Sequence, residues 1–294
     1  MNEPKTVLKT YKYRTQEAAL YDLIEGSVYF AKSSEFHDTN DRLEGKFEIK
    51  NYKYLWSTIL NAINRIEKKR TGHILEYPVI YSESEKNWIS MSDDKFIKQS
   101  EEVGICSTSI SYDNQAMWAH YCKNNGVCFE FEWDKDTIEY FNLLIKDVEY
   151  SNKPRKINRD VIFKNMIIDY GNDHPNATIG EIIKWSISKE SSTKWVQNFV
   201  LESTCIKQIC WSYENEIRIF SPRTKSYNIL KRILRSVYLF IPNFNSADFL
   251  MEFNKSRILR LILGQILENY SDIKLYGLSY DKTGNLIKEE ISLL

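Results

Sequence analysis

The sequence predicts an α+β fold, with a mixed or antiparallel central sheet and two helical segments packed on it. Three observations carry that expectation. Val127, Phe129, Phe131 and Trp133 alternate with Cys128, Glu130 and Glu132, the period-two pattern of a half-buried strand. From Phe47 to Arg70 the apolar residues Leu55, Ile59, Ile63 and Ile66 recur at helical spacing. Strands and helices alternate without the regular βαβ rhythm of a doubly wound sheet. A single domain over residues 1–294, with helical insertions at about 47–100 and 156–208, fits the length.

Taken in order, a strand at Tyr11 to Arg14 precedes a helix that Thr15 can cap and Gly26 can end. A second strand, Ser27 to Ala31, opens into a polar loop from Lys32 to Gly45. A further helix is expected near Lys86 to Ser100, and strand character returns at Val103 to Ser109. Asp113 is placed to cap a short helix holding Met117, Trp118, His120 and Tyr121. After the Val127 to Trp133 strand, Lys146 to Ser151 reads as another. Pro154 opens a mostly helical stretch to about Gln208, with a capping-box spacing at Thr178 and Glu181. Trp211 to Phe220 reads as a strand with Glu214, Glu216 and Arg218 on one face. Strands are expected near Val237 to Ile241, Ile258 to Leu263, Lys274 to Ser279 and Leu286 to Ser292.

Forty basic residues balance forty acidic ones, so bulk charge does not point to nucleic acid or a membrane surface. Met1 to Thr10 holds no basic segment followed by a long apolar run, so neither a signal peptide nor a membrane span is expected, and a cytoplasmic location is. Five cysteines without a CxxC pair read as reduced and mostly buried. The chain lacks the P-loop, GxGxxG, HExxH and GxSxG patterns, and its four histidines show no zinc spacing with the cysteines, so no metal is expected. Asp38, Asp41 and Glu44 are the carboxylates that a metal-dependent nuclease would draw on, without a sequence signal that they converge.

Four clusters remain: Tyr11, Tyr13 and Arg14; Phe36 to Asp41; Met117 to Tyr121; and Trp211 to Arg218. In this order, followed by Ile262, Leu263 and Gly264, they resemble the bacterial domain-of-unknown-function family 2971. Members of that family read approximately Tyr-Lys-Tyr-Arg, Phe-Asn-Asp-Pro, Met-Trp-Ser-His-Tyr and Tyr-Glu-x-Glu-x-Arg. The chain departs from the second motif, with His37 and Thr39 in place of Asn and Pro.

A weaker likeness, in motif order alone, is to ADP-ribosyltransferases of bacterial stress or phage-defence systems. It implies NAD as substrate. Glu216 would stabilise the positive charge that develops as the nicotinamide bond breaks, and Glu214 would orient or deprotonate the acceptor. His120 is a candidate general acid or base. Arg14 would hold a phosphate, Ser107 and Ser109 would line the nicotinamide pocket, and Tyr13, Tyr121 and Arg218 would complete the site. The same residues are open to other readings. Arg14 pairs equally well with Glu214 or Glu216 as a structural ion pair, and Trp118 and Met117 suit a core. His120 suits a buried, hydrogen-bonded position. The competing function is a non-catalytic module of a defence or regulatory system that binds a nucleotide or a protein partner.

Overall fold

Thr15 begins the architecture by ending one element and capping the next. Its side chain accepts from the Ala18 amide, and Gly26, at φ 60°, closes the helix between them. The computed structural model describes residues 7–36, 53–74, 98–123, 125–152, 157–241, 256–281 and 283–291. From the N-terminus, β1 (Leu8–Thr15), α1 (Gln16–Glu25) and β2 (Val28–Phe30) are followed by α2 (Lys53–Thr71) and β3 (Gly104–Ser109). Next come α3 (Gln115–Cys122), β4 (Gly126–Trp133), α4 (Lys135–Phe141), β5 (Leu144–Asp147) and β6 (Glu149–Tyr150). Helices α5 (Arg159–Asp173), α6 (Ile179–Ser186) and α7 (Lys189–Thr204) lead to β7 (Ile206–Lys207) and a 3₁₀ turn over Ile209–Glu214. The chain ends through β8 (Glu216–Ser221), β9 (Lys225–Tyr227), α8 (Leu230–Ile233), β10 (Leu234–Phe240), α9 (Arg257–Asn269), β11 (Lys274–Tyr280) and β12 (Leu286–Glu290).

Two compact units result. Met1–Lys32, Gly104–Asn152 and Lys207–Leu294 form the first, and Ser33–Val103 with Lys153–Ile206 form the second. Both stretches read as helical insertions contribute to the second. There, Gly171 of α5 meets α2 so closely that an added Cβ would lie 2.5 Å from the Ile66 side chain. Arg70 of α2 donates to the carbonyls of Gly171, His174 and Ala177.

In the first unit an eight-stranded sheet runs β12-β11-β10-β4-β1-β3-β8-β5. Its pairings are antiparallel apart from β10 with β11, so the fold is α+β with a mixed sheet. Alternation divides its side chains between two unlike faces. One face carries Val127, Phe129, Phe131, Trp133, Cys106, Ile219, Val237 and Leu239, sealed with Ala19 and Leu23 of α1 and Leu259, Ile262 and Ile266 of α9. The other carries Tyr13, Cys128, Tyr238, Phe240 and Leu278, capped by Met117, Trp118 and Cys122 of α3. Gly126 allows the turn from α3 into β4, since a Cβ there would sit 2.5 Å from both the Arg14 carbonyl and the Cys122 Cβ.

Several sequence expectations are corrected. Ile258 to Leu263 is helix, within α9, because Leu259, Ile262 and Ile266 bury one helical stripe and Ser256 caps it. Asn114, one residue after Asp113, caps α3 by accepting from the Met117 amide. The helical stretch toward Gln208 breaks after Ser186, where Ser188 caps a new helix. The proposed strand from Trp211 starts only at Glu216, because Asn215 at φ 44° ends the 3₁₀ turn and interrupts the pleat. The loop residues His37, Asp38, Thr39, Asp41 and Glu44, and most of the expected Lys86 to Ser100 helix, lie outside the described residues.

Candidate functional site

Register places the polar groups on one face of the sheet. Ser109 on β3 faces Glu216 on β8 and Tyr11 on β1, Tyr11 faces Glu130 on β4, and Ser107 faces Arg218. This is the face opposite α1 and α9. A carboxylate or guanidinium here is flanked by strands rather than water, so each needs a partner.

The densest group is a tetrad of two acids and two bases. Lys207 Nζ donates to Glu214 Oε2 at 2.6 Å and to Glu216 Oε2 at 3.3 Å. Arg218 donates through Nε to Glu216 Oε1 at 2.7 Å and through its terminal nitrogen to Oε2 at 3.1 Å. Lys207, Glu214, Glu216 and Arg218 are 6%, 2%, 6% and 1% exposed, so two positive and two negative charges are buried side by side. Tyr150 accepts from the Glu216 amide at 2.8 Å, and Ser109 donates to the Glu214 carbonyl at 2.7 Å.

The two carboxylates differ in state. Burial opposes the charge of Glu216, but the Arg218 guanidinium and the Lys207 ammonium overcome it and hold its carboxyl below the usual range. Three hydrogen bonds from Lys207 and Arg218 reach Glu216 and occupy most of the acceptor capacity of a carboxylate. Glu214 receives two, from Lys207 and from the Tyr121 hydroxyl at 2.7 Å, and burial pushes its carboxyl up. Glu214 is thus the acid of the pair that takes a proton more readily. Burial and the charge of Glu214 push the Tyr121 phenol up as well.

An aromatic rim adjoins the tetrad. His120 is exposed, with its ring centre 5.8 Å from Tyr213 and 6.4 Å from Trp211. The Lys207 ammonium lies 5.1 Å from the Trp211 ring centre, and Tyr121 is 42% exposed although its hydroxyl points to Glu214. The rim forms because α3 presents His120 and Tyr121 from one side while the 3₁₀ turn presents Trp211 and Tyr213 from the other.

Ser107, Ser109, Tyr121, Glu214, Glu216 and Arg218 therefore come together. Arg14 does not. It is one residue from Tyr13 on a strand, so it faces the opposite side of the sheet, where it forms a bidentate pair with Asp22 of α1 at 2.7 and 3.0 Å. This corrects both sequence readings of Arg14, as a phosphate anchor beside Glu216 and as its ion-pair partner. Tyr13 is on the correct face but is built into the core, edge-on to Trp118 with its hydroxyl donating to the Ser111 carbonyl. His120 is exposed on the rim rather than buried, with the Trp211 and Tyr213 rings as neighbours.

Sequence reasoning missed Lys207, Tyr150 and Glu130. A cation was foreseeable, since two glutamates and one arginine leave a buried set one positive charge short. Alternation sets Glu130 opposite the Val127, Phe129, Phe131 and Trp133 side of a half-buried strand. It is nonetheless buried, accepting from Tyr238 at 2.6 Å and Lys9 at 3.1 Å. Three strand spacings separate it from Glu216, about 14 Å. Among the described residues no three His, Cys, Asp or Glu side chains are grouped to hold a metal ion, and no helix is long and apolar enough to cross a membrane. Cys106, Cys122, Cys128 and Cys205 are buried thiols outside any disulfide, and Cys210 is an exposed one.

The segment that builds both the tetrad and the rim is also the segment with a known likeness. Residues 117–219 match the family described as protein of unknown function (DUF2971). No curated protein and no solved structure gives a match. The DUF2971 segment runs from Met117 on α3 to Ile219 on β8 and contains His120, Tyr121, Lys207, Glu214, Glu216 and Arg218. Tyr13, Arg14, Ser107 and Ser109 precede it.

Proposed function

We propose that the first unit is a non-catalytic binding module, in which the rim of His120, Tyr121, Trp211 and Tyr213 receives a nucleotide base and Glu214 provides the polar contact beneath it. The engagement of Glu216 carries this reading. A carboxylate that already accepts three hydrogen bonds from two cations, Arg218 and Lys207, is committed to them and has little capacity left for a cation developing on a substrate. Glu214 keeps spare acceptor capacity and adjoins an exposed aromatic surface, the pairing of a polar reader with a stacking platform. Arg14 has no part in this site.

A second reading, NAD cleavage or ADP-ribosyl transfer in a bacterial defence setting, is favoured by one observation. The strand carrying Ser107 and Ser109 pairs directly with the strand carrying Glu216, residue against residue. In that reading Glu216 must be released from Arg218 and Lys207 before it can act.

Fluorescence titration with a panel of adenine, guanine and pyrimidine nucleotides tests the binding reading. At least one nucleotide should bind the wild type. Trp211→Ala should weaken that nucleotide about tenfold or more, the worth of one stacked base, with the circular dichroism spectrum unchanged. Equal binding by Trp211→Ala, or no binding by any nucleotide, would contradict the reading.

A further inference from the structure

Helix α9 turns a face to solvent whose central residue has no local reason to be there. Leu259, Ile262 and Ile266 are its buried residues, and at about 100° per residue Gly264 lies on the opposite side. Glycine is unfavourable in a helix interior, yet Gly264 has no positive φ and a Cβ built on it would meet nothing within 4 Å. Leu261 and Leu267 flank it, 48% and 52% exposed. We propose that this face of α9 is the contact through which two copies of the chain pair, as an antiparallel, two-fold symmetric dimer centred on Gly264.

The face is complementary to itself when reversed. A two-fold axis at Gly264 brings the residue four before it level with the residue four after it, so Arg260 of each copy lies level with Glu268 of the other. At three residues the same operation sets Leu261 level with Leu267. Arg260 and Glu268 are exposed, and neither has an ion-pair partner among the described residues. Their order opposes the dipole of their own helix, with Arg257 and Arg260 in the first turn and Glu268 in the last. Within one chain that order is unfavourable, whereas against an antiparallel neighbour each end meets the opposite charge. With no side chain at the crossing, the two axes can approach to the short end of the usual range of about 8–10 Å, close enough for the leucines to meet.

Helix α1 widens the surface. It runs parallel beside α9, since Ser256 donates to Gln16 at 3.3 Å near the start of both and Tyr270 donates to the Leu23 carbonyl at 3.0 Å near the end of both. Tyr21 and Ile24 of α1 are exposed, so two helices present apolar side chains. A second copy is the partner that fits, because the match needs arginine before and glutamate after a central glycine, at equal spacing, on both sides. Helices α1 and α9 cover the sheet face opposite the aromatic rim and lie outside residues 117–219, so the dimer does not depend on the nucleotide reading.

Sedimentation equilibrium of the full chain over about 5–500 µM tests the proposal, a range suited to the weak association of a small interface. Wild type should show a monomer–dimer equilibrium. Arg260→Glu and Glu268→Arg should each weaken it about tenfold or more, since each sets like charges level at two symmetric positions. The double variant Arg260→Glu/Glu268→Arg, and an equimolar mixture of the two single variants, should both restore association, because each returns opposite charges to every position. Gly264→Glu, whose side chain meets open space in the monomer, should abolish the dimer with the circular dichroism spectrum unchanged. A wild type that stays monomeric throughout, a dimer indifferent to these variants, or single variants that are weakened but not rescued would each overturn the proposal.

Discussion

Arg218→Met is expected to destabilise the protein by about 3–5 kcal/mol, because it removes one partner of a buried ion pair and leaves the other charged and enclosed. Arg218 is 1% exposed and supplies two of the three hydrogen bonds to the Glu216 carboxylate. Urea unfolding of wild type and variant at neutral pH measures the loss. A companion variant distinguishes a charge effect from simple loss of packing. Glu216→Gln/Arg218→Met keeps Lys207 paired with Glu214, so the double variant should recover a substantial part of the stability that the single one loses.

Acid provides a further check on sign. In the wild type the Glu216 carboxyl lies below its ordinary value, so its stabilising contribution is present above the ordinary carboxylate range and fades as pH falls through the lowered value. Without Arg218, less positive charge offsets the burial of the carboxylate, so its cost is largest at neutral pH and is relieved as pH falls. The gap between wild type and Arg218→Met should therefore narrow on going from pH about 7 to about 4.5. A variant within about 0.5 kcal/mol of wild type at neutral pH would show that the tetrad is not a stability element.

Trp118→Ala should cost a similar amount, about 3–5 kcal/mol, for a different reason. Trp118 is fully buried beneath α3, edge-on to Tyr13 and 5.3 Å from Phe240, with its ring N–H donating to the Tyr112 carbonyl at 2.8 Å. Removing it leaves a cavity under the helix that carries His120 and Tyr121. The local consequence is as testable as the global one, since α3 holds Tyr121 against Glu214. Hydrogen exchange should speed up in α3 before it does in β4, and a uniform change across both would argue that the helix does not depend on this anchor.

Legibility differed with the physical signal each element sends. The Val127 to Trp133 alternation was readable because half its side chains enter an apolar core, and Thr15, Gly26 and the Thr178–Glu181 capping box were readable because caps act within a few residues. Ile258 to Leu263 was misread because a short apolar run satisfies both periods, and only the partners of Leu259, Ile262 and Ile266 decide between them. Trp211 to Glu214 was misread because a single left-handed residue, Asn215, shifts the pleat without an obvious mark such as glycine.

At the site, Glu214, Glu216, Arg218, Tyr121 and the serines could be named from sequence, but their ties to Lys207 and Tyr150 depend on pairings that spacing does not encode. Grouping Tyr13 with Arg14 was avoidable. Consecutive residues of a strand face opposite ways, so both could not serve one face.

Release of nicotinamide from NAD by wild type and Glu216→Gln tests the central claim most directly, that Glu216 holds the site together and does not react. The binding account predicts no nicotinamide above background from either protein, with or without cell extract, in preparations shown to be folded. Wild-type release that falls about 10²–10³-fold in Glu216→Gln, the loss typical of one preorganised electrostatic contact, would contradict it and establish the carboxylate as catalytic.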